Sequence, residues 1–296
     1  MSINAIQRFL FKEHDIRGQA IQLNESWQEM IKDRHYPDAI ISLLGEVTAI
    51  SILMANGMKH EGRVTIQVQG GGPIQLLVVD VTHDLKIRGV AKTNAKIEEQ
   101  GSLDELLGDG QILMTLENTQ TQHHFQSYVP REGNSIAKAF EGYLSQSEQL
   151  PSKIWLAASE KSLGGVMIQK MPHSGSHVEN ETNIDEDAWN RITHLTSTVT
   201  EKELTELPAE TIINRLFHEE LVELFEQREV SYECPKDEEK VKNMLISLGE
   251  AEVHKILEEQ GEIVIHNEMC NFHMRFGKDE VDQLFQTDRN INKSIQ

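Results

Sequence analysis

The chain has 296 residues, 38% of them hydrophobic and 26% charged, with a formal net charge of −20. That length accommodates one large core and one or two smaller units, and that composition is globular rather than fibrous or wholly disordered. The negative balance argues against phosphate-backbone binding, which needs a basic face, so no nucleic-acid partner is expected.

No apolar run is read as reaching the roughly 18–20 residues of a bilayer span, so no membrane partner is expected. The N-terminal ten residues lack a basic start, an apolar block and a small-residue cleavage site. With only two cysteines, the chain has no disulfide framework, which fits a reducing, cytoplasmic setting. The charge is uneven: residues 179–230 hold 14 acids against 4 bases, and residues 231–296 hold 14 against 8. A solvated helical surface explains that excess; so does an anionic shell that keeps a sticky protein dispersed.

The predicted fold is α+β: a mixed core domain of antiparallel sheet and helices (1–177), an acidic helical linker (178–230), and a small terminal helix-hairpin module (231–296). In chain order, Asp38 to Asn56 carries a long apolar helical pattern that must be buried against a sheet. Val64 to Gln69 alternates with period two, Gly70-Gly-Gly-Pro73 turns, and Ile74 to Asp80 returns as a strand, with a third at Leu85 to Ala91. Further strands fall at 110–117 and 125–129, a helix at 135–146, and a final strand pair at 154–158 and 165–170. The texture turns polar and acidic at Met171 to His177, where the core is expected to end.

Helical periodicity returns at Trp189 to Val199 and again from Pro208 to Glu226. There Ile212, Ile213, Leu216, Phe217, Leu221, Leu224 and Phe225 are expected to line one apolar face, with Glu210, Glu219, Glu220 and Glu223 opposite. Such a helix needs a surface to cover, most simply that of the core domain, and is the easiest piece to undock. Beyond it, helices are expected at 237–248 and 251–260, closed by Gly249 and Gly261, then a hairpin of 263–265 with 272–276 and a last helix at 278–285.

Cys234 and Cys270, the only cysteines, both lie in this terminal module. Three readings stay open: buried thiols packing as small hydrophobes, a redox-responsive or crosslinking pair, or a metal site completed by His266, His273 or Glu268. Catalytic motifs are missing: Gly70-Gly-Gly-Pro73 lacks a following Gly-Lys-Ser/Thr, and Val222 stands where a zincin-like string from His218-Glu219 would need its second histidine. His83-Asp84 and His123-His124 are isolated pairs. No acid/base or nucleophile constellation supports an enzyme.

Several stretches together carry a resemblance: Ser42-Leu-Leu-Gly-Glu46, the run from Gly62 to Pro73, Leu76 to Asp80, Tyr143 to Pro151, Gly164 to Lys170, Ser247-Leu-Gly249 and Ile256 to Glu262. Over nearly its whole length the sequence resembles the 33-kDa heat-shock chaperonin family, the redox-regulated holdase chaperones of the bacterial cytosol. The family pattern is Cys-x-Cys, a spacer near thirty residues, then Cys-x-x-Cys, with four thiolates on one zinc. Cys234 matches the first position and Cys270 the last, while Lys236 and Asn267 occupy the other two. Family members respond to oxidation by forming two local disulfides, losing zinc and unfolding the module and linker, which frees client-binding surface. Neither local disulfide can form here, so a degenerate switch without stoichiometric zinc is expected, and a single Cys234–Cys270 bridge is conceivable. The resemblance also implies an ATP-independent holdase that takes unfolded or partly folded clients and pairs as a homodimer when active. The alternative is an adaptor or regulator using the same surfaces for one specific partner.

Overall fold

In the computed structural model, which describes residues 4–93, 102–131, 133–172, 185 and 187–294 (the side chains of 288–294 excepted), the chain opens with a hairpin that sequence reasoning missed. Strands β1 (Asn4–Phe11) and β2 (Ile16–Leu23) pair antiparallel along their whole length. Phe9 lies opposite Gly18, and its ring occupies the place where a Cβ would stand, so glycine is what lets the ring lie flat on the sheet.

Two six-stranded sheets follow. Strands β3 (Gly62–Gln69), β4 (Ile74–Thr82), β5 (Lys86–Thr93), β6 (Gln111–Asn118) and β7 (His123–Val129) form one, in the order β5-β4-β3-β6-β7. Strands β8 (Ser152–Ala158) and β9 (Leu163–Lys170) join the N-terminal hairpin in the other, in the order β1-β2-β9-β8. The segment after residue 220 completes both sheets: β10 (Val222–Leu224) and β11 (Arg228–Glu229) both pair β1 and bring its sheet to six strands, and β12 (Ser231–Tyr232) pairs β5 in parallel as the sixth strand of the other.

Helix α2 (Asp38–Ala55), which follows the short α1 (Glu25–Ile31), packs against both sheets in one continuous core. By length and composition it could cross a membrane, which corrects the expectation that no run is long enough; 78% of it is nevertheless buried inside the protein. Its two buried hydroxyls cost little, because Thr48 and Ser51 donate to the carbonyls of Leu44 and Val47 at 2.7 and 2.6 Å. Helices α3 (Leu103–Leu107) and α4 (Ile136–Ser147) add to the same core.

The other face of the β1-β2-β9-β8 sheet is covered by α5 (Ala188–Thr196), α6 (Glu201–Glu206) and α7 (Ala209–Leu216). The helix expected from Pro208 to Glu226 therefore stops ten residues early. Phe217 leaves helical geometry at φ −123°, ψ 32°, and residues 222–224 run as a strand. The open edge of β1 supplies backbone partners that continued helix would leave unused, and Val222 and Leu224 fit a period of two as well as 3.6.

Met1–Glu233 is one compact unit and Cys234–Gln296 a second. The second holds α8 (Glu238–Leu248), α9 (Glu250–Gln260), the hairpin β13 (Ile263–Asn267) and β14 (Phe272–Phe276), and α10 (Lys278–Ser294). Its core is small, centred on Leu245, Val253, Met274, Phe276, Val281 and Phe285. The last helix outruns the expected end at Phe285. The polar stretch expected at 171–187 falls largely outside the described residues.

Candidate functional site

Two features stand out: an apolar sheet face beneath an acidic cover, and the thiol-bearing hairpin. On the sheet, Phe9, Phe11, Ala20, Val166 and Ile168 are buried against Ile192, Leu204, Ile212, Ile213 and Phe217 of the covering segment. Phe217 is the centrepiece, its ring 5.7 Å from that of Phe9 and 4.9 Å from that of Phe11. Of the residues assigned to the apolar linker face, Ile212, Ile213 and Phe217 are buried there, and Leu216 and Leu224 are partly buried against the same cluster. Leu221 and Phe225 do not join them: they are 60% and 41% exposed, because strand geometry turns them outward.

Sequence reasoning missed several residues that hold the cover. A Cβ on Gly164 would stand inside the contact radius of the Leu204 carbonyl oxygen, so glycine alone permits α6 to lie this close to β9. Arg191 donates to Glu220 at 2.8 Å and to Asp185 at 2.6 Å, while His14 sits 3.4 Å from Glu220, tying α5 and the turn after α7 to the β1–β2 hairpin. The Arg191 guanidinium holds the Glu220 carboxyl below its usual range. Gln22, fully buried in β2, donates to the Thr205 carbonyl at 3.0 Å and so ties the sheet to the end of α6.

Glu46 of α2 lies at a cavity of about 690 Å³ lined also by Asp38, Ser42, Leu106, Ser135 and Lys161. Burial, reinforced by the Glu201 carboxylate of α6, pushes its carboxyl from 4.5 up to about 7, against a Ser42 hydrogen bond that lowers it. The folded state therefore holds this proton where the unfolded chain has released it. Stability from Glu46 is complete below pH 4.5 and is lost as pH rises toward 7. Urea midpoints should accordingly fall between pH 5 and pH 7.5, and Glu46→Gln should flatten most of that fall; an unchanged slope in the variant would assign it elsewhere.

In the terminal module, Cys234 and Cys270 are joined as a disulfide, with Cα atoms 5.5 Å apart. Asn267 accepts a hydrogen bond from the Cys270 amide at 3.2 Å, shaping the turn that presents the sulfur. The Lys236 ammonium lies 4.0 Å from the centroid of the Phe272 ring. His266 and His273 are cross-strand partners on the exposed face of the hairpin, with stacked rings 4.3 Å apart. Among the described residues, no group of three or more histidine, cysteine or acidic side chains could hold a metal. The donor set does not fit the zinc that the family resemblance implies: the two sulfurs are bonded to each other, and the other two ligand positions carry an ammonium and an amide that serve other contacts.

The chain thus combines an α+β core, whose apolar sheet face lies under a charged segment, with a small cysteine-bearing module. The Hsp33 protein family matches residues 4–277. The 33 kDa chaperonin of Methylobacillus flagellatus is 38% identical over 284 residues, covering 96% of this chain and 94% of that protein. That of Nitrosococcus oceani is 37% identical over 280 residues, covering 95% and 93%. The crystal structure of the 33 kDa chaperonin from Thermotoga maritima superposes with a TM-score of 0.76 at 20% identity, over 97% of this chain and 99% of that one. The chain belongs to the Hsp33 family of chaperones.

Proposed function

We propose that the protein is an ATP-independent cytoplasmic holdase that captures unfolding proteins on the apolar sheet face exposed when its cover undocks. Residues 1–177 act as the client-binding core, 178–230 as the cover and 231–296 as a switch-like module that has lost its zinc. The observation that carries this is the Phe9–Phe11–Phe217 cluster, an apolar contact closed by a segment rich in carboxylates. Hydrophobic capture is non-directional and suits clients that share no sequence, and the carboxylates keep the open form dispersed, whether it acts as a monomer or as a homodimer.

The test is aggregation of two unrelated, heat-denatured proteins with and without near-stoichiometric chain and no nucleotide. Suppression of both supports the holdase, whereas protection of a single partner would indicate an adaptor. Metal analysis of the same sample, purified without chelator, should find well under one equivalent of zinc. One equivalent, lost on Cys270→Ser, would restore the family switch and defeat the degenerate one.

A further inference from the structure

Strand β1 has two edges, and the chain itself occupies the second. Phe9, Leu10 and Phe11 pair with Leu224, Glu223 and Val222, and Ala5 and Ile6 pair with Glu229 and Arg228. Backbone bonds extend the contact at both ends: the Lys12 amide donates to the Leu221 carbonyl at 2.9 Å, and the Val230 amide to the Asn4 carbonyl at 2.9 Å. In the middle, the Phe225 amide donates to the Arg8 carbonyl at 3.0 Å, the Gln7 side chain donates to the Phe225 carbonyl, and Gln227 donates to the Gln7 side-chain oxygen at 2.7 Å.

The two halves of this strap are held unequally. Its C-terminal half is anchored: Val230 is fully buried, and Arg228 donates to Asn56 at 2.7 Å and to the His83 carbonyl at 2.6 Å. In residues 221–227 no side chain is fully buried, and Leu221, Glu223, Phe225, Glu226 and Gln227 are exposed. That half rests mainly on backbone pairing, which any extended polypeptide can supply equally well.

We propose that residues 221–227 are a built-in stand-in for the client, and that an unfolding protein displaces them by adding to β1 as an antiparallel strand. This rests on the holdase reading and specifies the form in which the client binds. The strap displays the preferred chemistry. Val222 and Leu224 stand opposite Phe11 and Phe9, Glu223 reaches Lys12 at 3.7 Å, and Phe225 lies 5.7 Å from the Arg8 guanidinium. The occupant is thus an extended segment with aliphatic residues at alternate positions, an acidic residue between them and an aromatic one after them. Segments that alternate in this way are normally strands, and they become available when a protein unfolds. A free strand edge accepts them through main-chain bonds, with side chains only grading the affinity.

The test uses the full chain, a fluorescent peptide with the sequence of residues 221–227, and two copies of it N-methylated on alternate amides in opposite phases. In the double variant Val222→Gly/Leu224→Gly the peptide should bind at least about tenfold tighter than in the parent, a gain on the order of 1.4 kcal/mol. One of the two methylated phases should bind at least tenfold more weakly than the unmodified peptide. Equal binding of all three peptides would overturn the strand addition. Hydrogen exchange of the parent chain with a denatured client gives a second readout that needs no variant. Amides of 221–227 should lose protection while those of Asn4–Phe11 keep theirs; protection lost from β1 as well would overturn the proposal. Aggregation assays on the same samples separate the layers. No suppression by any of them sinks the holdase reading, and this inference with it, whereas suppression with phase-indifferent peptide binding sinks the strand alone.

Discussion

Reducing the Cys234–Cys270 bond is expected to loosen the terminal module, and oxidising it to tighten that module. The bond closes a loop between residues 36 apart in sequence, and on the loop-entropy account such a closure stabilises the folded state by about 3–4 kcal/mol. The unit it staples has few other resources, with a core of eight buried apolar residues among those described. For a domain of this size that free energy corresponds to a shift on the order of 15–25 °C in unfolding midpoint. Calorimetry of the full chain with and without dithiothreitol checks this, and Cys234→Ser/Cys270→Ser should reproduce the reduced profile under either condition. An oxidised sample that melts below the reduced one would reverse the sign and return the family's oxidative opening. In a sample reduced beforehand the bond is open, so peroxide should close the clip instead of releasing it. Peroxide alone should then fail to raise aggregation suppression.

Truncating Phe217→Ala is expected to activate the protein without any stress. The ring is 3% exposed and packs on Phe9 and Phe11, and removing such a side chain typically costs about 3–5 kcal/mol. The loss falls on docking of the cover, because the sheet face retains Phe9, Phe11, Val166 and Ile168 in place. A shift of that size turns a rare open state into a well populated one. The expected result is full suppression of client aggregation at a temperature where the parent chain is silent. Gly164→Ala approaches the same interface from the sheet side, since its methyl group collides with the Leu204 carbonyl, and it should activate in the same direction. A Phe217→Ala protein with unchanged activity and unchanged protease sensitivity between 188 and 230 would show that this cover governs nothing.

Much of this was legible in the sequence, and the failures have physical reasons. The terminal helices could be placed because Gly249 and Gly261 stop them in left-handed conformations, and β3 because it alternates cleanly between core and outer face. The β1–β2 hairpin escaped because its sheet is covered on both faces, so Ile6, Phe9 and Phe11 are all buried and the alternation is blurred by Gln7 and Arg8. The end of α7 escaped for a different reason. Nothing near Leu216 announces that an edge is vacant some two hundred residues earlier in the chain, and only that vacancy makes Val222–Leu224 a strand. At the thiol site, the identity of both residues at the lost ligand positions was legible, but their new partners were not: Lys236 on Phe272 and Asn267 under Cys270 depend on the hairpin register.

Helix α2 has a consequence for the birth of the molecule. Its eighteen residues, most of them apolar, are translated before β3, β4 and β5, which finish only at Thr93. At elongation rates of about 5–20 residues per second, the ribosome needs roughly 2–8 s to deliver the 38 residues between Ala55 and Thr93. For those seconds the growing polypeptide displays an apolar surface that only later strands will cover, so a member of a chaperone family begins life in need of a chaperone.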